Sequence, residues 1–316
     1  MEKIKLGNTL LNVSKLCFGT LTMGPLQANL SPKEGGRLLT YALQQGINFL
    51  DTAELYETYD HIKCALENIP RQELVIATKS YAYSKETAEA SLNKALKEMD
   101  TDYVDIFLLH EQESIHTIRG HYEALEYFIR KKEQGYIKAL GLSTHRIEAV
   151  EASLKIKEIE VLHPIVNMFG LGIQDGNIET MLKTLEQAYQ QGKGIYGMKP
   201  LGGGNFIKDY KKCLEFVLNI KPLHAVAIGM QTIEEIQANV LTTLKKEIDT
   251  AILNKINKKN RKLIIQDWCE TCENCIQACS HKALSKQSTQ IKIDHSKCVL
   301  CGYCAKYCPH FCIKVI

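Results

Sequence analysis

Ile47-Asn48-Phe49-Leu50-Asp51-Thr52, Leu74-Val75-Ile76-Ala77-Thr78-Lys79 and Val104-Asp105-Ile106-Phe107-Leu108-Leu109-His110 follow one another with an amphipathic stretch in each gap, and residues 47–110 decide the fold. Short apolar runs that end on a polar residue read as buried strands. The stretches between them, near residues 59–68 and 85–98, carry helical periodicity. Strand, helix, strand in that order is the signature of a parallel sheet with crossover helices. Working outward, similar runs occur at Leu16–Thr20, Ile137–Ser143, Val161–Asn167, Gly194–Lys199 and Ala225–Met230. Amphipathic stretches near 32–45, 119–134, 146–157, 177–191, 208–219 and 232–243 alternate with them. Eight strand–helix units predict an α/β protein of the closed (β/α)8, or TIM barrel, type. The competing doubly wound sheet lacks its G-x-G-x-x-G after the first strand. Residues 4–11 alternate around Gly7-Asn8 and predict a hairpin ahead of the barrel, covering its bottom.

Barrel signals stop near residue 245, and the reading divides the chain into a barrel over 1–245, a connection over 246–263 and a small α+β module over 264–316. The connection is rich in Lys and Asn, with Lys245, Lys246, Lys255, Lys258, Lys259, Arg261 and Lys262 in or beside it. It reads as a solvated connecting helix, or as a docking patch for an acidic redox partner.

Cys269, Cys272, Cys275 and Cys279, then Cys298, Cys301, Cys304 and Cys308 before Pro309, form two C-x-x-C-x-x-C-x-x-x-C runs. Disulfide scaffolds belong to short secreted chains, whereas this one has 316 residues and no signal-peptide pattern after Met1. Zinc takes four ligands and needs no third Cys at the next step. Eight thiolates in two such runs suit two [4Fe–4S] clusters, in which the fourth Cys of each run ligates the other cluster. That rule assigns Cys269, Cys272, Cys275 and Cys308 to one cluster and Cys298, Cys301, Cys304 and Cys279 to the other. The module is therefore expected to be ferredoxin-like and to move single electrons. Cys17, Cys64 and Cys213 read as inert barrel thiols, and Cys312 as a core residue.

Net charge is +3 over the whole chain. Residues 261–316 carry eight Lys/Arg and four Asp/Glu, an excess that mostly offsets the negative charge of thiolate-bound clusters. It gives no argument for nucleic acid. No apolar stretch reaches the roughly 18 residues of a membrane span. Cytoplasmic residence is the expectation.

Catalytic side chains of such barrels come from the C-terminal ends of strands. Asp51 ends strand two, Lys79 strand three and His110 strand four, with Tyr56 five residues past Asp51. Asp, Tyr, Lys and His at one mouth make a proton-transfer site. Lys79 is expected to lower the pKa of the Tyr56 phenol, Asp51 to hold Lys79, and His110 to orient a carbonyl oxygen. Met23, Tyr81 and Phe169 are candidates for the substrate side. Gly202, Gly203 and Gly204 follow strand seven, where barrels often bind phosphate through backbone N–H groups.

At these residues the chain resembles the aldo-keto reductase family. The resemblance rests on Asp51-Thr52-Ala53-Glu54-Leu55-Tyr56, Thr78-Lys79, Leu108-Leu109-His110, Gly141-Leu142-Ser143-Thr144-His145, Met198-Lys199-Pro200-Leu201-Gly202-Gly203-Gly204 and Ile228-Gly229-Met230. It covers roughly residues 1–245, and the whole chain resembles the subgroup with a C-terminal ferredoxin-like domain. It implies a nicotinamide cofactor across the barrel mouth, hydride passing to a carbonyl carbon and Tyr56 donating the proton. Cofactor contacts are then expected from Ser143, Thr144, His163, Asn167, Met198, Lys199, Leu201, the three glycines, Gln231, Glu235 and Asn239. The chain departs from the family at Thr144, where Asn is usual, at His163, where Gln is usual, and at Met198, where an aromatic is usual. Glu235 repels a 2′-phosphate, so NADH is expected over NADPH.

Hydride chemistry moves two electrons and each cluster one. Three readings follow. The chain is a carbonyl or alcohol oxidoreductase coupled to its clusters, directly or through a flavin at the barrel mouth. Alternatively, it is an electron-transfer subunit with the barrel as a docking scaffold. Otherwise the clusters are structural and the barrel is a plain NADH-dependent reductase.

Overall fold

The computed structural model describes residues 1–257 and 259–316; Lys258, one of the basic residues of the connection, lies outside the described residues. Eight parallel strands close into one barrel. They are Leu16–Gly19, Phe49–Asp51, Val75–Ser80, Val104–Leu109, Ile137–Thr144, Val161–Pro164, Gly194–Met198 and Ala225–Gly229. Closure runs from the eighth strand to the first, with Val226 opposite Leu16 and Gly229 opposite Gly19. Helices Pro32–Gln44, Tyr59–Leu66, Lys85–Met99, Tyr122–Glu133, Ile147–Ser153, Ile178–Gln190, Tyr210–Leu218 and Ile233–Thr243 follow the strands in turn.

Several helix starts are written locally. Ser31 caps the helix that begins at Pro32, accepting from the Glu34 amide while Glu34 returns to the Ser31 amide. Ser84 and Thr87 repeat that reciprocal cap before Lys85–Met99. Outward side chains of the strands and the helix faces form one core, with Leu50, Ile76, Phe107, Leu140 and Leu162 all buried. Inward side chains form a second, in which Cys17, Phe49, Ala77, Ile106, Leu108, Ala139, Val161 and Tyr196 fill the barrel.

The hairpin pairs Lys3–Lys5 with Asn12–Ser14 and adds Leu6, Leu11 and Val13 to that inner core, which plugs the bottom. Gly7 has φ +56°, and a Cβ there would sit 2.3 Å from the Gly194 amide nitrogen, so the turn requires glycine.

Helix Thr250–Asn257 lies in the connection. Beyond it Leu263–Ile265 pairs antiparallel with Ile313–Val315, and Leu284–Gln287 with Gln290–Ile293. Short helices Asn274–Ala278 and Tyr303–Lys306 complete the module. Phe311, Ile313 and Val315 are buried in the same apolar core as the barrel, so module and barrel share one interior. No described helix is long and apolar enough to cross a membrane.

Candidate functional site

The three strand-end residues and Tyr56 meet at the barrel mouth. Lys79 Nζ donates to Asp51 Oδ1 at 2.8 Å, to Oδ2 at 2.7 Å and to the Thr52 carbonyl at 2.8 Å. Three acceptors therefore take up its three donors. Tyr56 sits on the 3-10 turn Glu54–Tyr56, and the Lys79 ammonium lies 4.9 Å from its ring centroid. The His110 ring stands edge-on to Tyr56 at 6.0 Å and stacks on Tyr81 at 4.4 Å.

Electrostatics correct one expectation. Burial, then the Asp51 carboxylate, then Glu111, push the Tyr56 phenol well above its ordinary range. Lys79 is not among the groups that shift it, and its ammonium is spent on Asp51 and Thr52. Tyr56 is thus a fully protonated donor. Burial would raise Asp51, but Lys79 and then His163 overcome it and hold the carboxyl well below the usual range. Burial and the Lys79 charge keep His110 neutral, far below the ordinary histidine value. Its buried Nδ1 has no hydrogen-bond partner.

Residues that sequence reasoning passed over complete the site. Tyr196, in strand seven, donates its hydroxyl to Asp51 Oδ1 at 2.9 Å and stacks on His163 at 3.9 Å. Period-two alternation places Tyr196 inside whenever Met198 is inside, and that signal would have found it. His163 gives Nδ1 to the Tyr196 carbonyl at 2.7 Å and leaves Nε2 3.5 Å from Asp51. Glu111, just past His110, accepts from the Tyr81 hydroxyl at 2.6 Å. Met23 is fully buried in the core, whereas Tyr81 and Phe169 stay exposed at the rim.

The remaining residues expected to hold a dinucleotide are drawn into other contacts. Ser143 Oγ accepts from the Glu111 amide, and Thr144 Oγ1 accepts from the Arg146 amide. Asn167 braces its own loop, donating to the Leu171 carbonyl and accepting from the Leu171 amide. Met198 is buried, Leu201 packs on the core, and Asn239 is buried in its helix. Lys199 Nζ contacts His145 Nε2 at 2.6 Å. Burial lowers Lys199 to about 8, with Glu111 opposing.

Gly202, Gly203 and Gly204 all have positive φ, and strand Ile313–Val315 lies across them. The Val315 amide donates to the Gly203 carbonyl at 3.0 Å, and Asn205 Nδ2 donates to the Ile313 carbonyl at 3.0 Å. Glu235 accepts from the Gln231 amide and from Lys259 Nζ at 2.9 Å, with Arg261 at 3.7 Å. Lys259 also bonds Gln231 Oε1. The carboxylate expected to choose NADH is already paired within the chain and argues for neither dinucleotide. As they stand, these residues do not fit one.

The cysteines separate into two cavities. One is lined by Cys269, Cys272, Cys275 and Cys308, with Cys312 on its wall. The other is lined by Cys279, Cys298, Cys301 and Cys304. Each cavity collects three thiols of one run and the last of the other. Among the described residues no three His, Cys, Asp or Glu are placed as ligands of a single metal ion. Burial and then the neighbouring thiols raise Cys275 to about 11 and Cys304 to about 12. Such mutual repulsion is relieved by bound iron, so the donor set fits a cluster. Matching amides point at sulfur in both halves: Ala283 N–H to Cys279 Sγ and Cys312 N–H to Cys308 Sγ, each at 3.3 Å.

Comparison with known proteins places the parts. The model of the aldo/keto reductase family matches residues 15–213, and that of the 4Fe-4S binding domain matches 291–314. Probable aldo-keto reductase 1 of Glycine max is 29% identical over 225 residues, 65% of this chain and 61% of that protein. Methylglyoxal reductase DkgA of Escherichia coli (strain K12) is 27% identical over 50% of this chain and 60% of its own length. L-galactose dehydrogenase of Arabidopsis thaliana is 24% identical over 78% of this chain and 90% of its own. The alignments to the first two relatives thus span about 60% of their length. The solved aldo-keto reductase AKR11C1 of Bacillus halodurans superposes with TM-score 0.66 at 22% identity, covering 82% of this chain and 96% of that one. With a closed eight-stranded barrel, the strand-end residues in order and a family match over most of its length, the chain belongs to the aldo/keto reductase family and carries a 4Fe-4S binding domain after the barrel.

Proposed function

We propose that the chain is an oxidoreductase that interconverts a small carbonyl compound and its alcohol at Tyr56, exchanging electrons with a redox protein through two [4Fe–4S] clusters. The observation that carries the reading is the convergence of Tyr56, Lys79, Asp51 and His110 at one mouth, with Lys79 bonded to both Asp51 oxygens. Reducing a carbonyl to an alcohol takes up two electrons and two protons. Tyr56 supplies the proton that ends on oxygen; the two electrons come singly from the reduced partner protein, and the second proton, which becomes the new C–H, is taken from solvent water. A phenol pushed upward by burial and by Asp51 is fully loaded at neutral pH, and gives up its proton only as charge develops on the carbonyl oxygen. His110, kept neutral, holds that oxygen through a ring N–H without competing for the proton. The Lys79–Asp51 pair fixes the floor of the site and places one positive charge under the phenol ring.

The clusters, when bound, supply one-electron exchange. Cys269, Cys272, Cys275 and Cys308 would hold one, and Cys279, Cys298, Cys301 and Cys304 the other. Burial and then the neighbouring Lys199 push Lys314 well below the ordinary lysine range, burial and then both lysines do the same to His145, and Glu111 is the one carboxylate among the groups acting on Lys199. Lys199, lowered only to about 8, keeps its charge at neutral pH, and that cation favours a carbonyl substrate bearing a carboxylate or phosphate.

The test is a Tyr56→Phe variant of anaerobically purified holoprotein, driven by a reduced viologen with carbonyl acids as substrate. Loss of carbonyl reduction with cluster reduction intact is expected. Unchanged turnover would remove Tyr56 from the chemistry. The visible spectrum of the same sample tests a flavin at the mouth, whose structured bands stand apart from broad iron–thiolate absorption.

A further inference from the structure

We propose that the cradle in which this barrel type holds a nicotinamide dinucleotide is permanently filled by the chain's own C-terminal module, so that the protein works without NADH or NADPH. The inference rests on the carbonyl-site reading only for where the reacting end of the cradle lies.

Three separate contacts fill the cradle along its length. At the reacting end, the Phe311 ring enters beside strand seven. It lies 5.9 Å from the His145 ring and 5.1 Å from Lys199 Nζ. A Cβ on Gly172 would come within 3.0 Å of that ring, and one on Gly203 within 3.3 Å. The chain has Met198 where an aromatic was expected to stack on the nicotinamide, and the module brings its own aromatic to the same strand end. In the middle, the glycine loop meant to present amides to a pyrophosphate is covered. Val315 takes the Gly203 carbonyl, and a Cβ on Gly204 would lie 2.0 Å from the Val315 oxygen. Those glycines are needed for close approach, but what approaches is peptide. At the far end, Lys259 and Arg261 occupy Gln231 and Glu235, the residues placed for adenine and ribose.

The filling is well anchored. Phe311 is 2% exposed and Ile313 1%, and burying side chains of this size stabilises by about 1.5–3 kcal/mol each. The strand is tied back to Leu263–Ile265 and the Ile316 amide to the Lys262 carbonyl, so it is part of a sheet and not a loose flap. A dinucleotide would have to break these contacts before making its own.

The test reads binding without turnover. Full-length holoprotein, purified anaerobically, is titrated with NADH and with NADPH by calorimetry and nicotinamide fluorescence. No saturable binding is expected up to about 1 mM, a concentration that fills any site of micromolar affinity. Saturable one-to-one binding by either dinucleotide overturns the proposal. Hydrogen exchange at the Val315 and Ile316 amides is followed in parallel. Protection unchanged by dinucleotide supports a permanent occupant, whereas faster exchange on adding it shows a displaceable lid and overturns the proposal. Failure of the Tyr56→Phe assay leaves both binding results intact, so the two readings fall separately.

Discussion

The Tyr196 hydroxyl donates to Oδ1 of Asp51 at 2.9 Å from inside the barrel, on the far side of the carboxylate from the mouth. Asp51 therefore serves as a buried hub for Lys79, Tyr196 and His163, and the first prediction concerns its charge. Its folded pKa is depressed, so the stability it contributes is present above the unfolded carboxylate value of about 3.9 and is lost as pH falls through the folded value. Tyr196→Phe removes one donor to that charge. The midpoint of acid unfolding should move to higher pH, with about 1.5–3 kcal/mol lost at neutral pH. Circular dichroism against pH measures it; an unmoved midpoint separates Tyr196 from Asp51.

Breaking the ion pair from one side should cost more. Lys79→Met leaves Asp51 buried and unpaired, at about 3–5 kcal/mol. The double variant with Asp51→Asn should regain a good part of that loss. Denaturant unfolding of all three proteins gives the coupling, and strict additivity would contradict the buried pair.

Gly24 lets the loop after strand one close on Tyr56. A Cβ there would lie 2.5 Å from the Tyr56 carbonyl oxygen and 2.9 Å from Thr58 Cγ2. Gly24→Ala should shift the Tyr56 turn and lower kcat for carbonyl reduction by about tenfold or more, since proton donation depends on placement. Steady-state rates check this; a normal kcat would show that the turn has slack.

Lys199 is lowered to about 8, so it carries its charge below that pH and loses it above. KM for an acidic carbonyl substrate should rise as pH passes about 8, while KM for a neutral analogue stays flat. Lys199→Gln should raise the low-pH KM and abolish the dependence. A flat profile in the parent protein would remove Lys199 from substrate binding.

Crossed ligation makes an unusual pairing of variants. Cys269→Ser and Cys308→Ser, far apart in sequence, should remove the same cluster, and Cys279→Ser should match Cys298→Ser. Each should lose about half the iron and sulfide, with the same change in the paramagnetic resonance spectrum. Pairing within runs would instead make Cys279→Ser resemble Cys269→Ser.

Periodicity was enough for the barrel, because each strand is a buried apolar run and each helix an amphipathic one. Asp51, Lys79 and His110 were legible for the same reason: strand ends in this architecture point to one mouth. Tyr196 was hidden because its neighbours Gly194, Ile195 and Gly197 make the strand read as uniformly apolar. The glycine loop misled more instructively. Glycine reports that backbone comes close to something, and nothing local says whether that partner is a phosphate or a strand more than a hundred residues later. Likewise Glu235 showed a carboxylate in place of a phosphate-binding cation, but its partners Lys259 and Arg261 lay in a segment read as solvated. Tyr56 had the right position and the wrong electrostatics, since no pattern of residues shows where an ammonium spends its donors.

Cys308 and Val315 are seven residues apart, one walling the cavity for iron and the other capping the glycine loop of the barrel. On the cluster ligation proposed above, filling of the metal site and closure of the barrel mouth are coupled through those seven residues.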